Sequence, residues 1–180
     1  VPTFGGEIVE GVVGTPRFVN PLLAITDADR DLTSLVYAGL MKKNSDGTIV
    51  PDLAESYEIT PDGLSYTFKI KEKAKFHDGT LITADDVEFT VNRAKDPLLK
   101  SSRRASWEGV TVEKIDDRTI KFTLKQSYFP FLENTILGIM PKHIWGNLSP
   151  EEFGFSDFNT KGAGSGPYEI KTIEKFREVK

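Results

Sequence analysis

The chain has 180 residues, 38 % hydrophobic and 28 % charged, with 23 Lys and Arg against 27 Asp and Glu for a formal net charge of −4. That balance suits one large domain or two small ones, with a core that buries roughly two-thirds of the unfolded surface without disulfides. Cysteine is absent, which excludes a disulfide scaffold, a thiolate zinc site, an iron–sulfur cluster and a cysteine nucleophile. The mild acidity argues against a general nucleic-acid binder, whose affinity comes from neutralising phosphates.

Residues 7–13 carry Ile8, Val9, Val12 and Val13 and are read as a first strand, broken by Gly14-Thr15-Pro16. Asn20-Pro21 starts a turn. Thr26 or Asp27 then caps a helix in which Leu32, Leu35, Val36 and Leu40 recur at helical spacing, with Lys42, Lys43 and Asn44 at its C-terminal end. Asp46-Gly47 is a turn. From Ile49 the pattern changes to strands. Residues 53–59 and the alternating Leu64, Tyr66, Phe68 and Ile70 flank Thr60-Pro61-Asp62-Gly63, which predicts a hairpin. Thr83-Ala84-Asp85-Asp86 reads as a capping box, with Asp in the usual Glu position. It opens a helix through Val87, Val91 and Ala94 that ends at Asp96-Pro97.

A second hairpin follows: Val110 and Val112 on one strand, Asp116-Asp117-Arg118 at the turn, Ile120, Phe122 and Leu124 on the return. Residues 129–132 and 136–145 are aromatic-rich and predicted helical, broken at Pro141. Gly162-Ala163-Gly164-Ser165-Gly166-Pro167 is a loop, after which Tyr168, Ile170 and Thr172 resume a strand. Ile173, Phe176 and Val179 still read as structured, and Val1-Pro2-Thr3-Phe4-Gly5-Gly6 resembles neither a signal peptide nor a gene start, so both ends are read as those of a fragment. No apolar run approaches the ~20 residues needed to span a bilayer.

Catalytic constellations are not evident. His77 and His143 are the two histidines, and neither falls in a metal-binding spacing; both read as structural residues. The Gly162–Gly166 loop lacks the Lys-Ser/Thr of a phosphate loop, has Pro167 where a dinucleotide loop needs glycine, and precedes a strand; a hinge or crossing loop fits better. The pairs Asp85-Asp86, Asp116-Asp117 and Glu151-Glu152 stand at helix starts or turns, where adjacent carboxylates point apart. Arg103-Arg104 precedes Ser106-Trp107. A cation beside an exposed aromatic can hold a carboxylate or stack on a ligand, whereas the competing reading is a solvated loop with Trp107 anchoring the core. No metal or cofactor is expected, and enzymatic activity is not.

Several motifs stand in one order: Pro51-Asp52-Leu53-Ala54-Glu55-Ser56-Tyr57-Glu58, Thr60-Pro61-Asp62-Gly63-Leu64-Ser65-Tyr66-Thr67-Phe68, Phe76-His77-Asp78-Gly79-Thr80 and Thr83-Ala84-Asp85-Asp86-Val87. With Asn20-Pro21, Tyr37-Ala38-Gly39-Leu40 and Gly164-Ser165-Gly166-Pro167-Tyr168, this series closely resembles the family 5 extracellular solute-binding proteins, the peptide- and nickel-binding components of ABC importers. The resemblance implies a mixed α/β (α+β) chain, the N-terminal part of a type II periplasmic-binding-protein fold. Residues 1–44 and 165–180 would belong to lobe I, residues 45–164 to a hairpin-rich subdomain inserted in it, and lobe II would lie outside this chain. It also implies capture of di- and oligopeptides in the periplasm or outside the cell and delivery to ABC permease subunits, with membrane contact only through a lipid anchor outside this chain. Carried over by resemblance, Thr15 and Arg17 border the ligand cleft, and Arg103, Arg104 and Trp107 face the ligand. Nickel chelates, opines and oligosaccharides stay open as ligands. So does a different class, the sensing domain of a transcription regulator, which an upstream helix-turn-helix would favour over a lipobox signal peptide.

Overall fold

The computed structural model describes residues 11–172. The expected strand at 7–13 and the continuation through Ile173, Phe176 and Val179 fall wholly or partly outside them, and residues 11–13 take no regular structure. The first element is α1 (Asp27–Val36). Thr26 caps it: its hydroxyl accepts from Asp29 N–H at 3.1 Å, and Asp29 accepts in return from Thr26 N–H at 3.2 Å. The helix ends four residues before the predicted Leu40, and Lys42 and Lys43 lie in a strand, not at a helix terminus. The reason is tertiary. Residues 38–41 are extended because they bond on both sides: Ile139 N–H donates to Ala38 O at 2.9 Å, and Leu53 N–H donates to Gly39 O at 3.1 Å.

β1 (Met41–Lys43) and β2 (Ile49–Pro51) form a two-stranded antiparallel hairpin around Asp46-Gly47. Both predicted hairpins are present. β3 (Ala54–Ile59) pairs with β4 (Ser65–Ile70), and β5 (Thr111–Lys114) pairs with β6 (Thr119–Thr123). They join through β4 and β6 into one antiparallel sheet of order β3-β4-β6-β5. The period-two pattern dictates the burial: Tyr66, Phe68 and Ile70 of β4 and Ile120 and Phe122 of β6 point inward, and their neighbours do not.

α2 (Ala84–Lys95) covers that face with Val87, Val91 and Ala94, all buried. Its capping Asp86 also accepts the Lys142 amide at 2.9 Å, and Thr90 bonds the Met140 amide at 2.9 Å. The remaining helices are single turns: α3 (Arg104–Trp107), α4 (Phe131–Asn134), α5 (Lys142–Trp145), α6 (Pro150–Phe153) and α7 (Phe158–Lys161). The helix expected over 136–145 is therefore confined to its last turn. Residues 136 and 137 finish the turn after α4, their amides on Glu133 O and Asn134 O, and residues 138–141 then run beside residues 38–41, the Ile139 and Met140 amides engaged by Ala38 O and Thr90 Oγ1. Residues 168–172 show no strand pairing; the Tyr168 amide bonds Leu35 O at 3.1 Å at the end of α1. Among the described residues no helix is long and apolar enough to cross a membrane.

Candidate functional site

Where α1, the 37–41 segment, β1, α3, residues 133–138 and the 165–167 loop meet, the surface folds into a cleft of about 870 Å³. That lies within the range of small-solute sites, roughly 300–1,000 Å³. Its floor is the backbone ladder between residues 38–41, 52–54 and 135–139. Side chains of α1, β1, α3 and residues 133–137 line the cleft.

The glycine loop closes one side. Gly166 N–H donates to Val36 O at 2.8 Å, so the loop caps α1's orphan carbonyls from a distance of well over a hundred residues. Ser165 Oγ accepts from Ala38 N–H at 3.4 Å. His77 clamps the loop from the other side: its amide donates to Gly164 O at 2.8 Å and its Nε2 bonds Gly166 O at 2.9 Å. The contact is so close that a Cβ on Gly164 would stand 1.9 Å from Val36 O, and one on Gly166 2.4 Å from Leu35 O. His77 stands in a turn, and His143 reaches that turn from α5. His143 Nε2 bonds Asp78 at 2.7 Å.

Of the five predicted site residues, the cleft gathers Arg103 and Trp107. Trp107 is 2 % exposed and packs its ring against Phe122 at 5.4 Å and Phe131 at 5.7 Å, so its bulk belongs to the core. Arg103 is exposed at the start of α3. Arg104 is exposed but outside the cleft lining, as are Thr15 and Arg17. The Arg17 guanidinium lies 5.5 Å from the Phe18 ring centroid. The 15–18 segment is fixed to α1 by Asp29, whose Oδ1 accepts the amides of Arg17 at 2.7 Å and Phe18 at 3.0 Å.

The structure also brings in residues that the sequence did not single out. Arg30, Lys42 and Lys43 line the cleft, facing Asp52 and Glu133. The lysines were missed because they read as the end of a helix. Tyr37 lies beneath; its hydroxyl has no hydrogen-bond partner among the described residues, and burial pushes its phenol above the ordinary value. Among the described residues no cluster of three or more His, Asp or Glu is arranged to hold a metal ion.

The family model of bacterial extracellular solute-binding proteins, family 5 Middle, matches residues 48–180. The chain belongs to this family. The family 5 chain is 36 % identical over 183 residues to the oligopeptide-binding protein AppA of Bacillus subtilis, covering 99 % of itself and 34 % of that relative. It is 33 % identical over 178 residues to the glutathione-binding protein GsiB of Escherichia coli K12, covering 97 % and 34 %. The solved structure of B. subtilis AppA in complex with a nonapeptide superposes with a TM-score of 0.83 at 35 % identity, over 91 % of this chain and 33 % of that one. NikZ of Campylobacter jejuni, in complex with Ni(L-His), gives 0.81 at 31 % identity, over 90 % and 32 %. The fold is thus that of the family 5 binding proteins, and the chain spans about a third of the length of the relatives it matches.

Proposed function

We propose that this chain contributes part of the solute-binding component of an ABC importer, one that captures short peptides outside the cytoplasmic membrane and delivers them to permease subunits. The observation that carries this reading is the match along nearly the whole chain to a binding protein solved around a nonapeptide. In this reading residues 1–44 and 165–180 belong to one lobe and 45–164 to the subdomain inserted in it. The 162–168 loop, bonded back onto α1, is the return crossing. The cleft then borders the solute, with Arg103 and the edge of Trp107 on its α3 wall. Thr15, Arg17 and Arg104 face the solute from outside that wall. Location is periplasmic or extracellular, with a lipid anchor where the gene product carries one. The chain performs no chemistry on its solute.

A second reading, capture of a nickel chelate, draws on the likeness to NikZ with Ni(L-His). Thermal denaturation of the complete gene product, stripped of endogenous solute, separates the two. Dipeptides and oligopeptides are expected to raise the melting temperature, because a ligand held at 100 times its Kd adds about 2.7 kcal/mol of stability. A shift with nickel–histidine alone would replace the first reading by the second. Cooperative unfolding with no shift from any peptide, chelate or sugar would overturn both.

A further inference from the structure

The whole chain is acidic, yet its cleft is not. Four cationic side chains, Arg30, Lys42, Lys43 and Arg103, line it against two anionic ones, Asp52 and Glu133. Lys42 is committed to Asp52 at 3.7 Å, and Arg30 to Asp27 at 3.3 Å. Lys43 and Arg103 are exposed and, like Glu133, make no ion pair with any described residue, which leaves two unpaired cations against one unpaired carboxylate in the lining. They come from different elements, β1 and the start of α3, onto the walls of one concavity.

Eight of the twenty described lysines and arginines find a carboxylate, so what sets Lys43 and Arg103 apart is that both stand on one concavity. Lys69 and Arg118 share Glu55, Lys114 and Lys142 share Asp85, and Arg93 meets Asp96. A cleft with low-dielectric walls focuses the field of uncompensated charge and raises the local concentration of counter-charged solute. In a chain with an excess of acid, that field opposes the global one.

We infer that the cleft selects solutes bearing an anionic group, with Lys43 and Arg103 supplying the positive charge; this rests on the solute-binding reading above. The ligand chemistry is a carboxylate, which a peptide offers either as an Asp or Glu side chain or as its free C-terminus. On the α3 wall Arg103 offers a planar fork suited to a carboxylate, and Lys43 a mobile point charge.

The test is calorimetry on the complete gene product at low salt with four peptides of one length: Glu-containing or Gln-containing, each with a free or an amidated C-terminus. Citrate serves as an anionic probe without a peptide bond. The Glu-containing peptides are expected to bind tightest. Lys43→Gln and Arg103→Gln are each expected to weaken them about threefold and the double variant about tenfold. The preference should shrink as salt rises. Weakening on amidation, with no effect of Glu against Gln, would assign the carboxylate to the C-terminus instead and support the same inference. Both positions are exposed, so the melting temperatures of the variants should match the parent. Equal binding of all four peptides, or a preference that survives the double variant, would overturn the inference. Should citrate bind in a way the double variant loses while no peptide binds, the anionic cleft stands and the peptide reading falls. Binding of neither peptide nor citrate would overturn both.

Discussion

Asp29 is 1 % exposed and has no cationic partner among the described residues, yet it is well satisfied. Oδ1 takes the amides of Arg17 and Phe18, and Oδ2 those of Thr26 at 3.2 Å and Ile25 at 3.4 Å. One carboxylate thus caps α1 and pins the 15–18 segment to it. An amide cannot replace it, because one of its two heads is a donor facing donors. Asp29→Asn is expected to cost about 1–3 kcal/mol in urea denaturation, the price of buried amides left unpaired; an unchanged midpoint would refute the pinning role. Trp107 poses a related question. Its contacts with Phe122 and Phe131 predict a loss of about 3–5 kcal/mol for Trp107→Ala. Trp107→Phe, which keeps an aromatic ring there, separates packing from recognition: unchanged peptide affinity in that variant would remove Trp107 from the site and leave it a core residue.

At the scale of elements, the crossing loop depends on the absence of side chains. Gly164→Ala puts a Cβ onto the Val36 carbonyl, backbone against backbone, where neither can move aside cheaply. A destabilisation of about 1–3 kcal/mol is expected. Gly154→Ala, with no atom within 4 Å of the added carbon, should stay within about 0.5 kcal/mol. Equal melting temperatures for the two variants would count against the loop as a close-packed cap. This loop marks the limit of what the sequence discloses. The β3–β4 and β5–β6 hairpins were legible because their signals are local: period-two alternation around Asp-Gly or Asp-Asp turns. The caps of α1 and α2 were legible for the same reason. The end of α1 was not, because Leu40 fits the helical period and it is bonds from residues 52–54 and 139, distant in sequence, that hold residues 38–40 in an extended run. Residues 138–141 went the same way. In the candidate site, Arg103 and Trp107 came from a local pattern joined to a resemblance, whereas Lys43 needed the β1–β2 pairing that turns it toward the cleft wall.

At the scale of the molecule, the shifted carboxyl groups among the described residues share one direction. Asp29, Asp46, Asp62, Asp78, Asp85, Asp116 and Glu152 all lie below their ordinary range in the folded state. A folded pKa below the unfolded one means that unfolding takes up protons. The stability involved is complete above the unfolded value, about 3.9 for Asp, and disappears as the pH falls through the folded value. The causes differ in reach, and reach decides the outcome. Asp46, Asp62, Asp116 and Glu152 accept bonds from Thr48, Thr60 and Leu64, Arg118 and Thr119, and Ser149, partners within three residues that an unfolded chain can still offer. At Asp29 burial works to raise the pKa, but the amides of Phe18, Arg17 and Thr26 outweigh it, and the first two are eleven and twelve residues away. Asp85 is lowered chiefly by Lys114, then by Lys142. At Asp78 burial is again overcome, by the Thr80 amide and by His143. Thr26 and Thr80 are local to their carboxylates, so only folding brings in Phe18 and Arg17 at Asp29, Lys114 and Lys142 at Asp85, and His143 at Asp78. Acid sensitivity should therefore concentrate in Asp29 and Asp85, with Asp78 adding only what His143 contributes. Melting temperatures recorded between about pH 5 and pH 2.5 should fall steeply for the parent chain and for Asp46→Asn, and visibly less steeply for Asp29→Asn, which lacks the titrating group. Parallel curves for all three would show that the long-range carboxylates do not govern the acid transition.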